Sequence, residues 1–474
     1  MAGPQPNIQL RNRPSDFNLS FGKNIFTLEE TDGATNIINF ALNVLSGSTT
    51  GTNVGTFRQF ENPAGTAHFD LQNTLKNYTT INYDLESITG ITGAPDETFR
   101  FVCEVGLQET DGTFSFFEYA PSGGTDTYCV IGGRKLYWDV DWVDGFDQHA
   151  STISYNGLGC PSSRSRIFAL SDWTTPKSSP GADAPSWTSG QSILTQKIPA
   201  DNQATRTLSF INRLVAGAGP TVNDASKTIK FFRVTIMNGT TELDDFYIEN
   251  ILSNGGGPNG GIGGTVYDTY PYDVITIQAG HNMWTGDTSN ATHWFIAPFT
   301  WQDSSCIGDP SNPNVYAVPL SYVYRFDVDE GQCNDFEYVD FSWLNSYGFR
   351  DYYTFRKRRD YNINVNKNTF EKVDGSWSAA DYQVNQYDRG EQVFSQSLQE
   401  KYTVNTGYLS DEESNFLKNL YISADVKVRF EGDAEYTPVI VEDSRWEQKT
   451  FRKDKLFQHT CTFRIAHKLN SQRG

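Results

Sequence analysis

The sequence has little methionine, 3 in 474 residues, and only 6 cysteines, none of them in a C-x-x-C pair. Cys103, Cys129, Cys160, Cys306, Cys333 and Cys461 are too dispersed for a zinc ribbon or a redox motif. A chain of this length also needs no disulfide framework, so they read as small buried hydrophobes. No run of 18 apolar residues is present, which excludes a membrane-spanning helix. The opening stretch MAGPQPNIQLRNRPSDFNLSFG lacks the apolar centre of a secretion signal. Neither a Gly-x-Ser-x-Gly nucleophile elbow nor a metalloprotease H-E-x-x-H occurs. The glycine-rich GGGPNGGIGG run (255–264) does not close with Lys-Ser or Lys-Thr, so it reads as a surface loop and not a phosphate cradle.

What is abundant is acid, aromatic side chain and glycine. The formal charge is −19, with 24 Tyr, 32 Phe and 40 Gly. The charge is uneven: residues 343–474 carry 20 Lys and Arg against 19 Asp and Glu, and residues 1–342 carry 18 against 38. A surface at −20 repels nucleic-acid phosphates and anionic membranes, which disfavours both as partners of the first three quarters.

Leu/Ala/Glu/Lys-rich helical runs are scarce, and Gly- and Asn-rich turns punctuate short Val, Ile, Thr, Phe and Tyr runs. That pattern predicts a mainly β, multi-domain protein with β-sandwich-like domains. Asp111-Gly112 and Asn238-Gly239, each between two apolar runs, predict tight hairpins, because Asp, Asn and Gly tolerate positive φ. A weaker third hairpin is expected over 321–343. The NIFTLEE stretch reads as a strand, while TNIINFALNVL fits a strand or a short helix. Long polar stretches at 176–204, 217–227, 255–264 and 303–314 read as binding, assembly or disordered elements. The expected divisions are an extended arm over 1–22, β domains over 23–150 and 151–340, and a C-terminal α+β domain over 341–474.

That last region carries the clearest helix. In LSDEESNFLKNLYIS, Ser410 and Glu413 form a capping-box pair, and Asp411, Glu412 and Glu413 fill the first turn. Phe416, Leu417, Leu420 and Tyr421 form its buried stripe. Strands are expected at EQVFSQSLQEKYTVNT, DVKVRF, TPVIVED, WEQKTF and LFQHTCTFRIAH. In the last, His459, Cys461 and Phe463 share one face with Phe457.

Sites with chemistry are hard to single out. Asp139, Asp141, Asp144 and Asp147 resemble a calcium loop, but the Asp-Gly step falls one residue late and Ala150 stands where the bidentate acid belongs. Asp327, Asp329 and Glu330 fail similarly. The six histidines are isolated, and core packing accounts for them better than a zinc set. No catalytic residue, metal ligand or cofactor-binding group is assigned. Loop tryptophans in DWTTPKSS, PSWTSGQS and HNMWTGD suit either sugar stacking or anchoring of neighbouring subunits, and the second is preferred.

The segment LNSYGFRDYYTF (344–355) has the form Leu-Asn-x-aromatic-Gly-x-x-Asp-aromatic-aromatic-x-Phe. It resembles virion structural proteins of tailed bacteriophages, most nearly tail-associated proteins of phages of Bacteroidota, crAss-like phages included. The LSDEESNFLKNL helix, the PVIVEDSRWEQKTFRKDKLFQHTCTFRIA block and the tail HKLNSQRG follow in the same order. The resemblance covers about 318–474 and departs at Arg350, where an aromatic is commoner. It implies a non-enzymatic subunit of a tail ring, hub or baseplate-like assembly in the virion, made in the bacterial cytoplasm. Copies of itself in a cyclic ring and other tail or connector proteins would be its partners. A glycan-binding adhesin of the same particle is the alternative, and a glycoside-degrading enzyme a third. Arg356, Lys357, Arg358 and Arg359 follow the motif and are the candidate assembly interface. One continuous strand through 351–365 would divide those charges between its two faces.

Overall fold

The computed structural model describes most of residues 8–134 and 169–470. The longer stretches outside the described residues are 1–7, 31–36, 119–126, 135–168, 213–228, 251–273, 282–289, 302–316, 330–335 and 447–457, with short gaps elsewhere. The fold is mainly β, arranged in several sheets. Two compact units divide the chain: Met1–Asp329 together with Leu344–Asp351, and Glu330–Trp343 together with Tyr352–Gly474.

The first unit begins as two sheets sharing a core. One is three-stranded, in the order Ile8–Asn12, Ile25–Glu30, Thr66–Asp70. The other runs Phe17–Leu19, Thr127–Ile131, Thr98–Glu109, Ile37–Ser46, Asn53–Gln59, with Phe114–Glu118 also on the long Thr98–Glu109 strand. Phe26, Leu28 and Phe69 of the first sheet meet Phe40, Leu42, Phe101, Val105 and Tyr128 of the second, which is sandwich-like packing. Phe26 stands edge-on to Tyr128 at 5.1 Å between ring centroids. From Ile8 onward the expected 1–22 arm is therefore folded structure. Phe17 and Leu19 are buried, because an apolar residue on each side of Asn18 gives a strand one core-facing side. Ile37–Ser46 is a strand and not a helix; Phe40, Leu42 and Val44 repeat at period two.

A second sheet system follows, in the order Lys177–Ser178, Ile193–Pro199, Val323–Asp329, His293–Trp301, Phe231–Asn238, Thr241–Glu249. The expected 176–204 loop thus contains two strands and a 3-10 turn at Ser186–Thr188, and Ile193, Leu194 and Ile198 are buried apolar residues of the longer strand. Thr207–Ile211 and Val274–Gln278 pair with each other, and Ile91–Gly93 adds to Val274–Gln278. Backbone hydrogen bonds therefore join 91–93 to 275–277, across the expected boundary at 150. That boundary itself lies outside the described residues.

Both hairpins form. The turn after Glu109 is outside the described residues, but its strands pair from Glu104↔Glu118 to Gln108↔Phe114. In the other, Asn238 stays in its strand opposite Thr241, so the turn is Gly239-Thr240, with φ +56° on Gly239. The register shift beyond Ile236 leaves Leu243 as the extra residue. The expected third hairpin does not form: Val323–Asp329 pairs with Ile193–Pro199 and His293–Trp301, while Val339–Leu344 pairs with Val426–Phe430.

The second unit is a sheet in the order Arg350–Phe355, Val339–Leu344, Val426–Phe430, Thr437–Val441, Thr460–Ile465, Glu391–Asn405, Arg359–Glu371. Its two edge strands are consecutive in the chain, separated only by Arg356, Lys357 and Arg358. Seven flat strands would span about 29 Å from edge to edge, and the four peptide steps from Phe355 to Arg359 reach about 15 Å at most. The sheet must therefore roll. Rings from separate strands meet inside the curve: Phe341 with Phe355 (4.7 Å) and Phe463 (5.2 Å), and Tyr402 with Phe430 (4.9 Å).

The capped helix, Asp411–Ile422, packs on this sheet. Ser410 Oγ accepts from the Glu413 N–H and the Glu413 carboxylate accepts from the Ser410 N–H. Phe416 lies 5.1 Å from Trp343, and Leu417 and Leu420 are buried. The expected faces hold around His459: His459, Cys461 and Phe463 are buried, and Gln458 and Thr460 are exposed. His459 itself precedes the strand Thr460–Ile465. The expected WEQKTF strand lies outside the described residues apart from Trp446.

Candidate functional site

The Leu-Asn-x-aromatic-Gly motif is a docking turn of the first unit. Asn345 organises it. Its Oδ1 accepts from the N–H groups of Tyr347 and Phe349, and its Nδ2 donates to the Leu170 carbonyl at 2.9 Å. Gly348 takes φ +86°, and a Cβ there would stand 1.9 Å from the Gly132 carbonyl oxygen. No other residue type fits that position. Arg350, buried, donates to the Tyr83 carbonyl and pairs with Glu86 at 3.2 Å.

The same turn brings two carboxylates together. Asp351 Oδ1 accepts from Ser171 Oγ at 2.5 Å and its Oδ2 from the Asp172 N–H at 2.9 Å. Asp172 in turn accepts from the Ser346 hydroxyl (2.6 Å) and N–H (2.8 Å). Burial, then the negative charge of Asp172, pushes the Asp351 carboxyl up to about 7. A raised carboxyl pKa is a common mark of an active site. Here all four oxygens already have donors from the fold, which suits a latch between the 169–173 segment and the 344–351 turn. Nothing in the sequence signals this pair, since Asp172 and Asp351 lie 179 residues apart.

The four basic residues beyond the motif do not form one patch. The expected single strand is two strands, broken at Arg356–Arg358 where the chain passes between sheet edges. Arg356 lies over the Tyr338 ring at 5.4 Å, and Arg359 lies over Phe430 at 5.1 Å and pairs with Glu337. Arg358 pairs with Asp360, and Lys357 is exposed. Two of the four cations are thus packed on rings of their own unit, which leaves Lys357 and Arg358 facing solvent. Trp343 and Phe355 belong to this unit's core as expected, and Tyr353 stacks edge-on to Phe355 at 5.0 Å. Leu344 is buried too, in the first unit.

After Arg358 the chain forms a long two-stranded ribbon. Arg359–Glu371 pairs with Glu391–Asn405 along its whole length, with a bulge at Phe394. Cross-strand pairs share a face. One face therefore carries Tyr361, Ile363, Val365, Leu398 and Tyr402. The other carries Asn362, Asn364, Asn366 and Asn368 opposite Lys401, Gln399, Ser397 and Ser395. Every residue from Tyr361 to Glu371 is exposed. Strand period-two alternation was legible here, but not that Tyr402 at the base of the apolar face stacks on Phe463 and Phe430 while Tyr361, Ile363 and Val365 stay exposed.

Other expected sites resolve plainly. Trp173 is buried, and Trp187 packs edge-on to Phe299 and donates to Thr235 Oγ1. Neither presents a free ring face. Trp284, the 139–147 acidic loop, Cys160, Cys306 and Cys333 lie outside the described residues. Cys103, Cys129 and Cys461 are buried thiols, and burial raises the pKa of each. His459 bonds Ser414 Oγ at 2.7 Å, and burial lowers its pKa. Asp327 pairs with Arg325. Among the described residues no group of three or more His, Cys, Asp or Glu is placed to hold a metal ion, and no helix is long and apolar enough to cross a membrane. No protein-family model and no curated protein matches the chain.

Proposed function

We propose that the chain is a non-enzymatic structural subunit of a tailed-phage virion, built into a ring, hub or baseplate-like tail assembly with copies of itself and other tail or connector proteins. The observation that carries this reading is the ribbon. Tyr361, Ile363 and Val365 on one face of it are each more than two-fifths exposed, at 48%, 47% and 41%, and Phe370 and Phe394 are exposed towards its far end. Exposed apolar side chains grouped in this way belong in an interface. The phage-like blocks from Leu344 to the C-terminus point the same way. Lys357 and Arg358, facing solvent beside the ribbon's base, are suited to meet the acidic surface of a neighbouring copy.

The test is the oligomeric state of the full chain by native mass spectrometry, together with a search for it in purified virions. A defined multimer that is present in virions supports the reading; a monomer at high concentration that is absent from virions overturns it. The glycan-binding alternative loses support because Trp173 and Trp187 are spent inside the fold. A glycan array with hits at the ribbon or loops would restore it.

A further inference from the structure

The ribbon's outer strand, Arg359–Glu371, is the last strand of its sheet, and among the described residues nothing pairs with its outer side. Long free edges are normally blunted by proline, inward charge, a bulge or repeated lysine. This one has no proline, its bulge lies on the partner strand, and Lys367 is its only central charge. Its N–H and C=O groups form a template for one more strand.

The sequence of the strand is self-complementary. Val365 is its middle residue. Placing a second copy antiparallel about Val365 sets Tyr361 opposite Thr369, Asn362 opposite Asn368, Ile363 opposite Lys367 and Asn364 opposite Asn366. Each amide side chain both donates and accepts, so facing asparagines satisfy one another. At the ends, Glu371 of each copy comes to Arg359 of the other. Arg359 is already bridged to Glu337 and remains partly exposed, so a second carboxylate can share its fork. Paired residues share a face, so Tyr361, Ile363 and Val365 of the two copies merge into one apolar stripe.

We propose that two copies of this chain join through these strands, in a two-fold antiparallel pair centred on Val365. The inference rests on the homo-oligomeric part of the reading above and not on its virion part. A two-fold contact is isologous and cannot close a cyclic ring alone; it would link subunits in pairs or join two rings.

The experiment is site-directed disulfide trapping in the full chain. Directly opposed Cα atoms in an antiparallel pair lie about 4.5–5.5 Å apart, within disulfide range. Val365→Cys should give a reducible covalent dimer under mild oxidation, above the wild-type background from the native cysteines. Asn362→Cys should not, because its copy would lie about 20 Å away, whereas Asn362→Cys mixed with Asn368→Cys should. Val365→Lys, with unchanged circular dichroism, should lower the multimer's size by half or to monomer. Multimers without Val365 trapping overturn the pairing and leave the homo-oligomer reading standing. Equal trapping by Val365→Cys and Asn362→Cys overturns the register. A strict monomer overturns both pairing and homo-oligomer.

Discussion

Ser171 Oγ donates a 2.5 Å hydrogen bond to Oδ1 of Asp351, 180 residues further along the chain. That contact ties the motif turn at 344–351 to the strand-rich first unit, although the residues on either side of the turn, Glu330–Trp343 and Tyr352–Gly474, belong to the second. The motif's most distinctive residues, Asn345, Gly348 and Asp351, are thus explained by the fold alone.

The pH dependence of stability should carry a signature of Asp351. Its carboxyl titrates near 4 when unfolded and near 7 in the fold. Between these values the folded state holds the extra proton. This contribution is complete below about pH 4, falls by about 1.4 kcal/mol per pH unit as pH rises, and levels off above about 7. Asp351→Asn removes the slope. Melting curves of wild type and variant from pH 4 to 7 should diverge, wild type losing ground as pH rises. A constant gap would show that Asp351 titrates as an ordinary carboxyl.

Gly348→Ala should cost several times more than Gly65→Ala. Both glycines have positive φ, at +86° and +75°, and an alanine there costs about 1–2 kcal/mol. At Gly65 the new methyl meets open space, while at Gly348 it meets the Gly132 carbonyl. Denaturant midpoints of the two variants measure the difference, and equal midpoints would disprove the tight docking of the turn.

Ser410→Ala breaks the capping box, leaving the Glu413 N–H without its partner. The expected loss is about 1 kcal/mol in the second unit. Ser410→Asp should restore most of it, since a carboxylate caps equally well. Urea titrations of the three proteins distinguish lost capping from a general surface effect.

Lys357→Gln with Arg358→Gln should weaken self-assembly most at low salt and leave the melting temperature within a degree or two, because both side chains face solvent. Arg356→Gln and Arg359→Gln should instead lower stability by about 0.5–1 kcal/mol each through the lost stacking on Tyr338 and Phe430. Sedimentation at two ionic strengths, paired with melting curves, separates the two classes. Salt-independent assembly in the first pair would remove the electrostatic role.

Much of the architecture was legible in the sequence because local chemistry decides it. Period-two apolar residues fold as the expected strand at Glu391–Asn405, while at Ile37–Ser46 the sequence left strand and short helix open and the packing of Phe40, Leu42 and Val44 decides for the strand. Ser410 and Glu413 start the helix, and the run from His459 to Phe463 alternates between core and solvent. Pairing across long separations was not legible, because it depends on which surfaces meet. The residues of one uninterrupted basic-aromatic stretch, 343–361, divide between two units. Its strand breaks at Arg356 because the sheet rolls until its two edge strands lie three residues apart in the chain. Asp172 meets Asp351, and Ile363 and Val365 stay exposed while Tyr402 of the same ribbon face stacks on Phe463, only through tertiary packing: alternation says that a strand has an apolar side, and only the assembled fold decides how much of it is covered.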